Sequence, residues 1–169
     1  VYTILITAII ILAQSCKSAM VKENFRFADQ QIEYALQLVD SVIQNDNRDD
    51  DTKAKNPLVS SRTIDDEGNL KMVRARDWTS GFFPGELWFM YEYTKDNKWR
   101  ERAEEFTENL EGLRNYKGTH DLGFLIYNSF GNGLRLTDNE SYKQVVLDAA
   151  YSLASRYKPE AGIIRSWDH

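Results

Sequence analysis

Three short runs combine carboxylates, an imidazole and indoles in a way that ordinary core sequence does not. They are Asp77-Trp78-Thr79-Ser80, Thr119-His120-Asp121 and Ser166-Trp167-Asp168-His169. Indole faces stack on the C–H faces of pyranose rings, and Asp and His hydrogen-bond to sugar hydroxyls. A mouth lined by these side chains would therefore suit a carbohydrate. Taken singly, each has a plainer explanation. An Asp at a helix start is normally a cap or a partner of the helix dipole, and a lone Trp such as Trp78 or Trp88 is normally core. The weight lies in the repeated placement. A helix start stabilises an aspartate as its anion, whereas a carboxyl that donates a proton near neutrality needs burial or a second carboxylate close by. Asp121 alone is thus a poor general acid, and the chemistry calls for a partner. Asp168 is one candidate, at the extreme end of the chain.

For these runs to meet, they must sit at equivalent ends of parallel elements, and the apolar periodicity supplies such elements. Phe25, Ile32, Leu36, Val39 and Ile43 recur on one face of a first helix, which runs out in the polar stretch 45–52. That stretch reads as a charged loop; its acids would suit calcium, but a solvated loop is the simpler reading. Residues 58–64 and 69–76 flank Asp65-Asp66-Glu67-Gly68 and predict a small hairpin, the only strand content expected. A short helix begins near Pro84, favoured in a first turn, and runs to Tyr93. It is apolar on nearly every side and is expected to be buried all round. Asp96-Asn97 opens a longer amphipathic helix with Trp99, Ala103, Phe106, Leu110 and Leu113 on one stripe. A second short helix spans about residues 121–134. A second long one, capped near Asp138-Asn139, carries Tyr142, Val146, Ala149 and Leu153.

The unit recurs after about 42 residues: Gly81-Phe82 with Gly123-Phe124, Thr94 with Thr137, Trp99 with Tyr142. Stacked pairs of one buried and one amphipathic helix build either an open solenoid or a closed double ring. Inner helices this apolar favour closure. If they all run the same way, the three polar runs gather at one mouth.

Composition narrows the partners. With 42% hydrophobic residues the chain can pack a core, and its net charge of −5 comes without a basic stripe. Nucleic acid is excluded as a partner, because phosphate binding needs clustered Lys and Arg. An anionic sugar, held by one or two local Arg residues, is not. Residues 2–12 form an apolar run too short to span a bilayer comfortably, followed by Ala13-Gln14-Ser15-Cys16. A short apolar stretch ending in small residues and cysteine resembles a bacterial lipoprotein signal, with Cys16, the only cysteine, as the acylated residue. The expectation is a signal segment over 1–16 and a catalytic domain over 17–169. The protein would then be exported, periplasmic or anchored in the outer membrane of a Gram-negative bacterium, touching membrane only through the lipid. A plain secretory signal with an incidental cysteine is the alternative.

Four motifs in order carry a resemblance to a known family: Asp77-Trp78-Thr79-Ser80-Gly81-Phe82-Phe83-Pro84-Gly85-Glu86-Leu87-Trp88, Thr119-His120-Asp121-Leu122-Gly123-Phe124, Ser129-Phe130-Gly131-Asn132-Gly133 and Ser166-Trp167-Asp168. From about residue 25 onward the chain resembles the family 88 glycoside hydrolases, the unsaturated glucuronyl hydrolases. The resemblance implies an all-α (α/α)6 toroid of the six-hairpin glycosidase type, of which this chain would hold about the first half or less. It also implies the absence of any metal or cofactor. Its substrates would be unsaturated glycosaminoglycan-type oligosaccharides made by lyases. Family chemistry is not ordinary glycoside hydrolysis: an aspartic acid protonates C4 of the vinyl ether, water adds at C5, and the hemiketal opens to expel the rest of the sugar. By the match, Asp121 is the first of two key aspartates, His120 contributes to the site, and Trp78 and Trp167 wall the subsite of the unsaturated sugar. The second aspartate would fall beyond the third run, so the polypeptide as given is expected to show no measurable hydrolase activity. A sister family acting on unsaturated rhamnogalacturonan fragments, and a glycan-binding helical lipoprotein without catalysis, are the rival readings.

Overall fold

The computed structural model describes residues 2–167, with side chains described from residue 19. Cys16 and the pair Asp168 and His169 therefore lie outside the residues whose side chains are described. The chain divides into two compact units, Val1–Gln37 and Leu38–His169. Helix α1 (Tyr2–Gln44) provides the first unit. Among the described residues no helix is long and apolar enough to cross a membrane. The expected stripe holds through Ile32, Leu36 and the fully buried Val39. It then passes to the half-buried Val42, while Ile43 is exposed.

Part of the stretch read as a charged loop is helix α2 (Asp50–Lys55), capped by Asp49, whose carboxylate accepts the Thr52 amide at 2.9 Å. Its acids are engaged locally: Asp46 pairs with Arg48 at 2.6 Å and Asp51 with Lys55 at 2.6 Å. The Arg48 guanidinium holds the Asp46 carboxyl down at about 2. The hairpin follows as expected, β1 (Ser60–Ile64) antiparallel to β2 (Leu70–Val73), with a bulge between Ser61 and Thr63.

Two helix pairs come next. In the first, α3 (Phe82–Thr94) packs on α4 (Asn97–Glu108). Trp88 and Trp99 are buried, and the Trp88 indole N–H donates to Thr107 Oγ1 at 2.9 Å. The α4 stripe is as expected through Phe106, after which the chain turns into a 3-10 segment, Glu111–Leu113, that keeps Leu110 and Leu113 buried. In the second pair the inner member is not a plain α-helix. Residues Gly123–Gly131 form a π-helix that continues as α5 (Asn132–Thr137), and α6 (Glu140–Ala154) is the outer member. Its buried face is Tyr142, Val145, Ala149 and Ser152, one step from the predicted Val146 and Leu153. A short hairpin, β3 (Tyr157–Lys158) with β4 (Ile163–Ile164), turns the chain back.

The repeat is explicit in the backbone. Each inner helix ends with a Thr hydroxyl bonded back four residues, Thr94 to Met90 O and Thr137 to Gly133 O, both at 2.7 Å. Each is followed by a left-handed residue, Lys95 (φ 59°) and Asp138 (φ 53°). Each outer helix is then capped by the next side chain, Asp96 and Asn139. Glycine sets the spacing between inner helices: a Cβ on Gly81 would overlap the carbonyls of Phe124 and Leu125, and one on Gly85 would lie 3.0 Å from Asn128 O. The expectation that α3 is buried all round fails along one line. Phe82, Glu86, Phe89 and Tyr93 form an exposed stripe at helical spacing. An inner helix of a ring has an inner neighbour on each side, and among the described residues only the π-helix takes such a place.

Candidate active site

The first two polar runs sit in the connections that enter α3 and the π-helix, and the parallel course of these helices puts both runs at one end of the unit. Asp121 stands two residues before the π-helix. Its carboxylate is not used as a cap, since that helix start has no side-chain cap. Instead Oδ2 accepts the Thr119 hydroxyl at 2.8 Å, and Oδ1 lies 3.4 Å from His120 Nε2. Thr119 Oγ1 in turn accepts the Asp121 amide at 3.1 Å. The Asp121 side chain is only 13% exposed, against 37% for His120. His120 Nδ1 is buried and has no hydrogen-bond partner among the described residues.

The third run is brought to the second by backbone pairing. Thr119 and Trp167 form an isolated antiparallel bridge, and the Trp167 ring meets His120 edge-on at 4.9 Å. Half of the Trp167 surface stays open. Hence Asp121, His120 and Trp167 are assembled as one group, as the sequence suggested.

Trp78 joins through an aromatic cluster. It packs edgewise on Phe82 (5.9 Å) and Phe124 (6.2 Å), while Phe82 and Phe124 stack at 5.6 Å. Phe82 and Phe124 are equivalent positions of the repeat, and Phe124 follows Asp121 by three residues. Trp78 remains half exposed beside a cleft of about 350 Å³ that Arg62, Thr79, Phe82 and Glu86 also line. One side of Glu86 is open to solvent, yet the cleft walls strip water from its carboxyl and push it above its ordinary value. Asp77, in contrast, is committed to structure: Oδ2 takes Arg62 at 2.9 Å and Oδ1 accepts the Thr79 amide and hydroxyl. Trp88 is core.

Sequence reasoning gave no role to Thr119, the donor to Asp121, or to the Phe82–Phe124 stack. The Gly-Phe pair at each repeat was the available signal for the stack. Nothing in the sequence showed that a threonine two residues earlier would fold back onto the aspartate. Among the described residues no group of three or more His, Cys, Asp or Glu side chains is placed to hold a metal.

A largely buried carboxylate held by a hydroxyl and flanked by imidazole and indole thus stands at the entry to the second inner helix. No protein-family model matches the chain. It is 45% identical over 97 residues, 57% of its length and 24% of the relative's, to an unsaturated glucuronyl hydrolase of Formosa agariphila. To the enzyme of the same name from Bacillus sp. strain GL1 it is 41% identical over 95 residues, 54% of this chain and 25% of that one. Among solved structures it superposes on an unsaturated glucuronyl hydrolase specific for heparin with a TM-score of 0.67 and 32% identity, covering 85% of this chain and 36% of that one. The chain is a relative of the unsaturated glucuronyl hydrolases, the family 88 glycoside hydrolases, and its fold class is their (α/α)6 toroid. It spans about a quarter of the length of the curated relatives it matches.

Proposed function

We propose that this protein removes the 4,5-unsaturated uronic acid from the non-reducing end of lyase-generated oligosaccharides by hydrating the vinyl ether. The observation that carries this reading is the setting of Asp121: largely buried, uncapped, bonded to Thr119, and beside His120 and the open face of Trp167. Protonation of C4 builds positive charge toward C5 and the ring oxygen. A carboxylate fixed in a poorly hydrated site stabilises that charge without reorganising at the moment of reaction. The half-open indoles of Trp78 and Trp167 offer faces for the pyranose ring, and His120 a hydrogen bond to a hydroxyl. Proton delivery to carbon falls to a second carboxyl whose environment keeps it protonated. The relatives' names point to glycosaminoglycan fragments as the substrate class. The apolar run ahead of Cys16 supports export with a lipid anchor, for which intact mass of the mature protein is the check.

The test uses the enzyme produced from its complete gene and unsaturated disaccharides from chondroitin, heparin and rhamnogalacturonan digests. Loss of the vinyl-ether absorbance is expected with the glycosaminoglycan products. Asp121→Asn should lower turnover on the order of a hundredfold or more with the helical circular dichroism unchanged. Near-normal turnover in that variant would remove Asp121 from the mechanism. Preference for the rhamnogalacturonan product would assign the sister activity.

A further inference from the structure

The two segments that carry the site are irregular, and one buried side chain joins them. Arg156 follows α6 and is only 6% exposed. Its guanidinium donates to three main-chain carbonyls: Nη1 to Lys117 O, Nε to Arg165 O at 2.9 Å and Nη2 to Ser166 O at 2.7 Å. Lys117 lies two residues before Thr119, on the approach to His120 and Asp121. Arg165 and Ser166 lead directly into Trp167. The β3–β4 turn, through Gly162 at φ +67°, brings the second segment back, so that the Arg165 amide also bonds Arg156 O at 3.0 Å.

We infer that Arg156 is a positioning residue that sets the register between the Asp121 and His120 segment and the Trp167 segment. Among the described residues only one pair, Thr119 with Trp167, bridges the two segments as strands do, which leaves their register weakly defined by pairing alone. A guanidinium supplies five donors in a rigid planar fork and can satisfy carbonyls on both sides at once. Bonds from a charged donor are roughly twice as strong as neutral ones. The cation also stands at the C-terminal end of α6, where the helix dipole favours it. A lysine presents a single ammonium on a flexible stem and cannot reproduce the fork. Arg156 touches no sugar in this scheme; it acts through the carbonyls that place Trp167 against His120.

The consequence for catalysis rests on the activity proposed above, so the experiment reads geometry and turnover separately. Three forms of the enzyme from its complete gene are compared: the parent, Arg156→Lys, and Thr107→Val as a purely structural control, since it breaks the buried bond to Trp88 away from the site. In the parent, nuclear Overhauser contacts are expected between the Trp167 indole and the His120 ring. Arg156→Lys should lose them while keeping parental circular dichroism, and its turnover of the unsaturated disaccharide should fall at least tenfold. Thr107→Val should lower the melting temperature yet keep both contacts and turnover. Retained contacts in Arg156→Lys, or equal loss of them in Thr107→Val, would overturn the assignment. Should Arg156→Lys not fold, hydrogen exchange at Arg156 Nε in the parent decides, with protection expected and exchange at the free-arginine rate contradicting the clamp. A parent that shows the contacts but no turnover would defeat the proposed activity and leave the positioning role standing.

Discussion

The two helix pairs are alike at one end and different at the other. Where each inner helix hands over to its outer partner, the same devices recur 43 positions apart, as 137 − 94 and 138 − 95 show: a Thr hydroxyl bonded back, a left-handed residue, a polar cap. At the opposite end the acids of the two entry runs do different work. Asp77 is tied to Arg62 and to its own turn through Thr79, whereas Asp121 is held by one hydroxyl and faces an imidazole. The inner helices differ too, α3 being regular and its counterpart a π-helix. Such wide helices are uncommon and often lie at functional sites. The hand-over end answers only to chain reversal, so one solution serves twice; under the proposed activity the entry end answers to chemistry as well, so it diverges.

Glycine exchange breaks this likeness most severely. Gly81 and Gly123 are repeat equivalents, yet a Cβ on Gly81 meets backbone carbonyls of the neighbouring helix and one on Gly123 meets nothing within 4 Å. Gly81→Ala should cost about 3 kcal/mol or more, because main-chain atoms cannot step aside. Gly123→Ala should be neutral or gain about 0.5 kcal/mol by restricting the unfolded chain. Urea denaturation of both variants measures the contrast, and equal effects would mean that the inner helices do not approach at Gly81.

A smaller effect is expected at the hand-over. Lys95 and Asp138 share the left-handed conformation, which costs an ordinary side chain roughly 1 kcal/mol and an aspartate less. Lys95→Gly should therefore stabilise by up to about 1 kcal/mol, and Asp138→Gly by less. The reverse order in thermal melts would show that the two caps are not equivalent.

Glu86 gives the smallest effect and a pH signature. Incomplete hydration raises its carboxyl above the ordinary 4.5. The folded state thus holds this proton more tightly than the unfolded state, and stability contributed at low pH is lost as pH rises through the raised value. Glu86→Gln should match the parent below pH 4.5 and exceed it above the raised value. The gain should stay under about 1 kcal/mol, since the open side of the group remains screened. Melting curves that differ equally at all pH values would exclude this cause.

Much of this was legible before any coordinates. Helix order, the hairpin and the caps at Asp96 and Asn139 follow from apolar spacing and local chemistry, which act within a few residues. The misreadings have a common origin. The α2 turn, the face shift to Val42 and Val145, and the exposed stripe on α3 depend on what lies opposite each residue, and apolar character alone does not state that. The π-helix gave no signal either, because its segment is apolar and its widening depends on which neighbours it packs against.

Periodicity and the repeated polar runs were thus enough, by themselves, to determine stacked helix pairs with polar and aromatic runs at their entry, because those features are written into residues near one another. Tertiary structure alone decided which acid is available there. Asp77 and Asp121 both lie in runs that enter inner helices, but Arg62 arrives from the hairpin to claim the first. Thr119 and the returning Trp167 segment leave the second buried, oriented and uncapped. That difference arises from contacts between segments up to 48 positions apart, as 167 − 119 gives, and such contacts exist only once the chain has folded.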